Sequence, residues 1–200
     1  LAPAINRALA KAYQKRAASE TGPITDIVGT QKVLSAYKKQ ENLQPFYQVD
    51  PRLASGGQYQ LDTGSVFVGP QANQFTLAHE LGHKAIGESN NLMQQVQQKT
   101  YHFGEHPLIS FGSQVAIGAL TPGNRRALAF SLGASYLTQA GKLASETAAT
   151  EKAGEYLRAA GSPISQELKA RQIGNYAVNT GLSGLPGLAT GRLIRALVTK

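Results

Sequence analysis

The sequence predicts a mostly helical α+β fold in which a small sheet packs on one helix. Two short segments between residues 58 and 68 alternate apolar and polar side chains around Thr63-Gly64, which is typical of a β-hairpin. From Gln71 onward the apolar residues follow helical spacing, and glycine- or proline-containing breaks divide the rest of the chain into about five or six helices. Hydrophobic residues make up 42% of the 200 residues, which is enough for a buried core.

The elements that precede the hairpin are predicted from similar signals. Residues 2–18 are rich in alanine and carry spaced basic residues, which favours an amphipathic helix that ends before Gly22-Pro23. Asp26 or Thr30 is suited to cap a second helix that extends to about Gln40.

Two further segments are assigned from composition. Phe46–Val49 is apolar and precedes a turn signal, so it predicts a short strand. Gly181–Gly187 contains three glycines and a proline, and we interpret it as a linker.

The net charge of +8 is located at the two ends of the chain. Residues 1–16 carry four basic residues and no acid, residues 165–200 carry a further net +4, and the 148 residues between them sum to zero. We therefore predict a basic N-terminal helical arm (1–22), a central domain (23–182) and a basic C-terminal tail (183–200). The termini are candidates to contact an assembly partner or an anionic surface. Aromatic residues are too few there for sequence-specific recognition of a nucleic acid.

Neither a signal peptide nor a membrane-spanning segment is recognisable. Basic residues interrupt every apolar run in residues 1–18. The uncharged stretches 107–124 and 127–141 are at or below the roughly 18–20 apolar residues that span a bilayer, so they predict a buried helical hairpin. Peripheral contact with a membrane stays open. The chain has no Cys, which excludes disulfides, Cys-ligated zinc and thiolate catalysis.

The motif that points to chemistry is His79-Glu80-Leu81-Gly82-His83, which has the form H-E-x-x-H. Residues four apart lie on the same face of a helix, so the two imidazoles can bind one metal ion. Glu80 would then accept a proton from zinc-bound water and pass it to the leaving amine. Lys84 follows the second histidine, where zinc proteases usually carry an uncharged residue, and we expect its side chain to point away from the cleft.

A catalytic zinc site needs a third protein ligand. No third histidine follows His83 at a suitable spacing, so we expect a glutamate on a later helix. Glu146 is the preferred candidate because the small residues Ala149 and Ala153 follow it at positions +3 and +7, where two helices must approach closely. Glu151 and Glu155 are its competitors, and all three could instead belong to a solvated helix face.

Two other groups of residues have candidate roles at such a site. Thr150, at position +4 from Glu146, is expected to support a zinc-bound histidine. The donor that stabilises the tetrahedral intermediate is sought among four residues, namely Tyr101, His102, His106 and Tyr156. His102 and His106 are also four residues apart, which would suit a second metal site, although ordinary loop or surface histidines explain them as well. Core packing is the alternative role of Tyr156.

With these motifs in view, the sequence resembles the YugP-like neutral zinc metallopeptidases, which are relatives of the gluzincins. The likeness covers roughly residues 28–180 and is most specific at the two blocks that carry the histidines and Glu146. The matching blocks, in order, are Gly29–Tyr37, Tyr47–Pro51, Tyr59–Val68, Ala78–His83, Leu143–Gly161 and Gln166–Ala177.

The resemblance implies a minimal zincin domain that binds one Zn²⁺ through His79, His83 and Glu146, with Glu80 as the general base. It also implies that an edge strand at Val66, Phe67, Val68 and Gly69 holds an extended peptide substrate beside the zinc. The function expected from it is a zinc-dependent endopeptidase. Members of the family usually carry strongly apolar membrane helices between the zinc helix and the ligand glutamate, whereas residues 107–141 are only mildly apolar.

A second hypothesis retains the fold and the metal site without catalysis. The basic termini would suit a structural component of a large complex, such as a virion or a membrane-associated machine. A third hypothesis is an anion-binding module that uses the two basic ends.

Overall fold

The computed structural model describes residues 15–89, 107–120 and 140–198. The chain divides into two units, of which the first comprises residues 1–95 and 145–175 and the second comprises residues 96–144 and 176–200. In the described residues the fold is mostly helical with a small mixed three-stranded sheet, as the sequence predicted.

The first described elements of unit one are two helices. Residues 15–21 are helical. Helix α1 (Ile27–Glu41) begins at Asp26, whose side chain accepts a hydrogen bond from the Gly29 backbone N–H, as predicted. Its buried face contains Val33, Leu34 and Tyr37.

The sheet follows α1 and consists of β1 (Tyr47–Val49), β2 (Gly57–Gln60) and β3 (Ser65–Val68), with a 3₁₀ turn at Pro51–Leu53. The predicted hairpin is confirmed, since β2 and β3 are antiparallel and Gly64 turns the chain with a φ of 64°.

The strand order corrects one prediction from the sequence. The order is β1-β3-β2, with β1 parallel to β3, so β3 is the central strand. Pairing continues past β3, because the Gly69 N–H donates to the Gly56 carbonyl at 2.8 Å. The prediction that Val66, Phe67, Val68 and Gly69 form an edge strand is therefore wrong. The hairpin pattern accounted for only one neighbour of β3, and β1 lies on the other side.

The two helices that carry the candidate ligands approach each other closely in unit one. Helix α2 (Gln74–Gly87) begins at Asn73, whose side chain accepts from the Thr76 N–H at 2.9 Å. Its partner is α4 (Ala140–Ala159). The two approach so closely that a Cβ at Gly82 would lie 2.7 Å from the carbonyl oxygen of Ala149. The small residues expected after Glu146 are thus at the helix contact.

Unit two includes α3 (Pro107–Leu120) and the end of α5 (Gln166–Val198). Here the interpretation of Gly181–Gly187 as a linker is wrong, because the backbone of α5 is helical throughout. Each interior helical glycine costs about 1 kcal/mol relative to alanine. Packing offsets this cost, because α3 and α5 meet at two glycines. A Cβ added at Gly118 would lie 2.4 Å from the Leu188 carbonyl oxygen, and one added at Gly191 would lie 2.0 Å from the Val115 carbonyl oxygen.

The predicted helical hairpin is described only at α3, because residues 121–139 lie outside the described ranges, as do Tyr101, His102 and His106. Among the helices described, none has the length and apolar content needed to cross a bilayer.

Of the predicted N-terminal arm only residues 15–22 are described, and Arg16 there forms ion pairs with Glu20 and Glu167. The predicted boundary at residue 182 falls within α5.

Candidate metal centre

The candidate centre is a buried group of three side chains in unit one. His79 and His83 lie one turn apart on α2, and Glu146 lies on the facing side of α4. The Glu146 Oε2 atom is 3.1 Å from His79 Nε2 and 3.5 Å from His83 Nε2. The exposed fraction of each residue is 4%, and one potential ligand atom from each lies within 4.8 Å of the other two.

These separations fit the dimensions of a small metal ion. Zinc binds imidazole nitrogen and carboxylate oxygen at about 2.0–2.1 Å, which places two tetrahedral ligand atoms about 3.3 Å apart. The two distances from Glu146 Oε2, 3.1 and 3.5 Å, lie on either side of that value. The three residues therefore can hold a metal ion.

The hydroxyl groups of α4 orient the two imidazoles. Thr150 Oγ1 lies 3.4 Å from His79 Nδ1, and Ser145 Oγ lies 3.4 Å from His83 Nδ1. Thr150 donates its own hydroxyl proton to the Glu146 carbonyl at 2.8 Å, so its oxygen is left to accept from Nδ1–H of His79. That tautomer leaves the Nε2 lone pair of His79 directed at Glu146.

The chemistry of the donor set explains why a cation fits here. With Nδ1 of His79 protonated, its Nε2 atom and the Glu146 carboxylate are two acceptors in contact, which requires a proton or a metal ion between them. Burial opposes ionisation of Glu146. When a proton fills that position, hydrogen bonds with His79 and His83 outweigh burial and hold the pKa of that carboxyl below its usual value. Glu146 is thus anionic and suited to a cation.

Glu80 lies beside this group and contacts the sheet. Its exposed fraction is 8%, and its carboxylate accepts a hydrogen bond from the backbone N–H of Tyr59 on β2. Gly57 leaves room for it, because a Cβ there would lie 2.5 Å from Glu80 Cγ and 2.9 Å from Oε1. Burial raises the pKa of Glu80, an effect that His79 and His83 oppose. A carboxyl group so placed can exchange a proton with a group bound beside the histidines.

The glutamates that competed with Glu146 have other environments. Glu151 accepts from Lys169 Nζ at 2.6 Å, and Glu155 is exposed. Lys84, the unusual cation after the second histidine, donates to the Gly64 carbonyl at 2.7 Å and to Glu88 at 2.6 Å. Its ammonium group therefore binds the hairpin turn, in agreement with the expectation that it points away from the cleft.

Tyr156, a candidate donor for the tetrahedral intermediate, belongs to a different cluster. Its hydroxyl donates to Glu41 at 2.8 Å, and its ring packs edge-on against Tyr37 with centroids 5.4 Å apart. Core packing is the role that these contacts support. The other three candidates lie outside the described residues.

Three contributors to the site were not anticipated, namely Ser145, Gly57 and the backbone of Tyr59. Ser145 directly precedes Glu146, and a polar residue next to a ligand is a weak signal that could have identified it. Gly57 follows another glycine at the start of a strand, which indicates a close approach without naming the neighbour.

No family model, no curated protein and no solved structure matches this chain. The feature of the chain that bears on function is therefore the site itself. It is a buried His-His-Glu group on two facing helices, with Glu80 between α2 and the sheet.

Proposed function

We propose that the chain is a zinc-dependent endopeptidase of the gluzincin type, related to the YugP-like metallopeptidases that its sequence resembles. One observation carries the proposal. The Nε2 atoms of His79 and His83 converge on Glu146 Oε2, and Glu80 is held immediately beside them. The H-E-x-x-H spacing and the separate glutamate are the pattern of that class.

In this proposal His79, His83 and Glu146 hold one Zn²⁺. When bound, the metal acts as a Lewis acid that acidifies water and polarises a carbonyl group. Thr150 and Ser145 keep the two imidazoles oriented by accepting from their Nδ1 atoms.

Glu80 is proposed as the proton carrier. Its carboxylate accepts the proton of the attacking water and transfers it to the nitrogen of the departing amine. The Tyr59 N–H fixes the position of this carboxylate, and the absence of a side chain at Gly57 makes that position available.

The strand that holds the peptide substrate is proposed to be β2 rather than β3. Among the described strands, β2 has a neighbour on one side only, and it is the strand whose backbone reaches Glu80. An extended peptide added along β2 would place its backbone beside the residue that moves the proton.

Glu80→Gln tests the proposal. The variant retains the three proposed ligands, so we expect about one equivalent of bound zinc by elemental analysis and loss of cleavage of an unstructured protein such as casein. Glu155→Gln is the matched control, because it makes the same change at an exposed position of α4. Cleavage by Glu80→Gln at the rate of the parent chain would contradict the assigned role of Glu80.

A second candidate is a structural component in which the metal centre is catalytically silent. It is favoured by the burial of the site, where no proposed ligand is more than 4% exposed. A stoichiometric zinc content without peptide cleavage, together with an obligate higher oligomer in sedimentation, would support this candidate over the peptidase.

A further inference from the structure

A groove on unit one lies between the exposed face of α1 and the end of α4, and it has a volume of about 930 Å³. None of the residues of the metal centre lines it. It is lined by apolar and polar residues of α1 and by three small residues, namely Ala159 at the end of α4 and Ala160 and Gly161 directly after it. With Ala36, these small residues allow the backbone of a partner to approach closely.

The apolar part of the groove is unusually exposed. Ile27 is 73% exposed and Val28 is 66% exposed, although both are large aliphatic residues in the first turn of α1. The opposite face of the same helix already supplies Val33, Leu34 and Tyr37 to the core, so Ile27 and Val28 are not needed there. Exposed apolar residues that line one concave surface are typical of an interaction site.

The positive charge of the groove favours an acidic partner. Lys32 and Lys39 line it, and neither forms an ion pair with any residue in the described ranges. No acidic side chain is among its lining residues. The carboxylate of Glu41, the acidic residue that follows Gln40, forms an ion pair with Lys152, whose Nζ donates to it at 2.6 Å. The groove is therefore a cationic surface with an apolar end.

The length of the groove favours a peptide segment. From Ile27 to Gln40 helix α1 extends about 20 Å, which corresponds to three to four turns of a second helix. Lys32 and Lys39 are seven residues apart, or about 10 Å along the axis. Carboxylates seven residues apart on a partner helix have the same spacing.

We propose that this groove binds an acidic amphipathic helix of a partner protein. Carboxylates on one side of that helix pair with Lys32 and Lys39, and its apolar side chains cover Ile27 and Val28. This interaction does not depend on the metal centre.

The test uses a library of random 16-residue peptides displayed on phage, selected against the immobilised 200-residue chain. We expect the enriched peptides to carry acidic residues at helical spacing with Leu, Ile, Val or Phe between them. Selection of peptides without an acidic bias, or failure to enrich any peptide, would overturn the proposal.

The enriched peptide is then labelled with fluorescein, and its Kd is measured by anisotropy. In the double variant Lys32→Glu/Lys39→Glu the Kd should rise about tenfold or more, because two attractions become repulsions. Lys38→Glu is the matched control, since Lys38 is exposed on the same helix but does not line the groove, and its Kd should stay within about twofold of the parent value.

Two outcomes would refute this assignment. One is equal weakening by the double variant and by Lys38→Glu. The other is self-association of the parent chain in sedimentation that Val28→Ser abolishes, which would make the groove an interface between copies. Val28→Ser removes an exposed apolar contact without changing charge, so it also tests peptide binding should the double variant fail to fold.

Discussion

The contact between Gly82 and α4 should control the geometry of the metal centre. In Gly82→Ala the new Cβ would lie 2.7 Å from the Ala149 carbonyl oxygen and 3.0 Å from its Cα. An ordinary carbon–oxygen contact is about 3.4 Å or longer, so α4 must retreat by about 0.7 Å. Glu146 lies one turn before Ala149 on the same helix, so Glu146 must move with the helix.

A displacement of this size is large for a metal site. The distances from Glu146 Oε2 to the two Nε2 atoms are 3.1 and 3.5 Å, and metal–ligand bonds tolerate changes of only about 0.2 Å. Overpacking at a helix contact costs about 1–3 kcal/mol. We therefore expect Gly82→Ala to weaken zinc binding about tenfold or more in a chelator competition and to lower the melting temperature of the zinc-free chain.

Gly174→Ala is the control, because a Cβ at that helical glycine meets no atom within 4 Å. It should stabilise the chain by up to about 1 kcal/mol through helix propensity alone and leave zinc affinity unchanged. Parent-like zinc affinity and melting temperature in Gly82→Ala would show that the close approach of α2 and α4 does not set the ligand distances.

Two further predictions concern residues around the centre. Thr150→Val removes the acceptor for His79 Nδ1 while it preserves side-chain shape, so zinc affinity should fall about 10–100-fold. Thr150→Ser should restore the affinity, and equal affinities in the two variants would contradict the orienting role of Thr150. Lys84→Met removes the ammonium that binds the Gly64 carbonyl, so the free energy of unfolding should drop by about 1 kcal/mol while the zinc content is unchanged. Loss of zinc in this variant would indicate that Lys84 belongs to the site.

The parts of the centre that follow local rules could be predicted from the sequence. A spacing of four residues on a helix places His79 and His83 on one face whatever the rest of the fold does. Glu146 is 63 residues beyond His83, so no local rule connects them. The small residues that follow it revealed that another helix approaches closely, and Thr150 follows from the same helical spacing.

The parts that depend on tertiary packing could not be predicted. Glycine and proline weaken an isolated helix, so residues 181–187 resemble a linker. In the folded chain Leu188 is buried and Gly191 meets the backbone of α3, which stabilises the helix that the sequence disfavours. A glycine that breaks an isolated helix also permits a close helix contact, and only the partner helix decides between the two roles.

The strand order illustrates the same limit at the site itself. A hairpin signal identifies β2 and β3 as partners, but parallel pairing of β1 with β3 is a long-range choice with no sequence signature. That pairing leaves β2 at an edge of the described sheet, and the backbone of β2 contacts Glu80 at Tyr59. Gly57 is consistent with this position, because any side chain there would displace the Glu80 carboxylate from the Tyr59 N–H. The same glycine that weakens β2 as a strand therefore fits the strand to its place next to the proposed base.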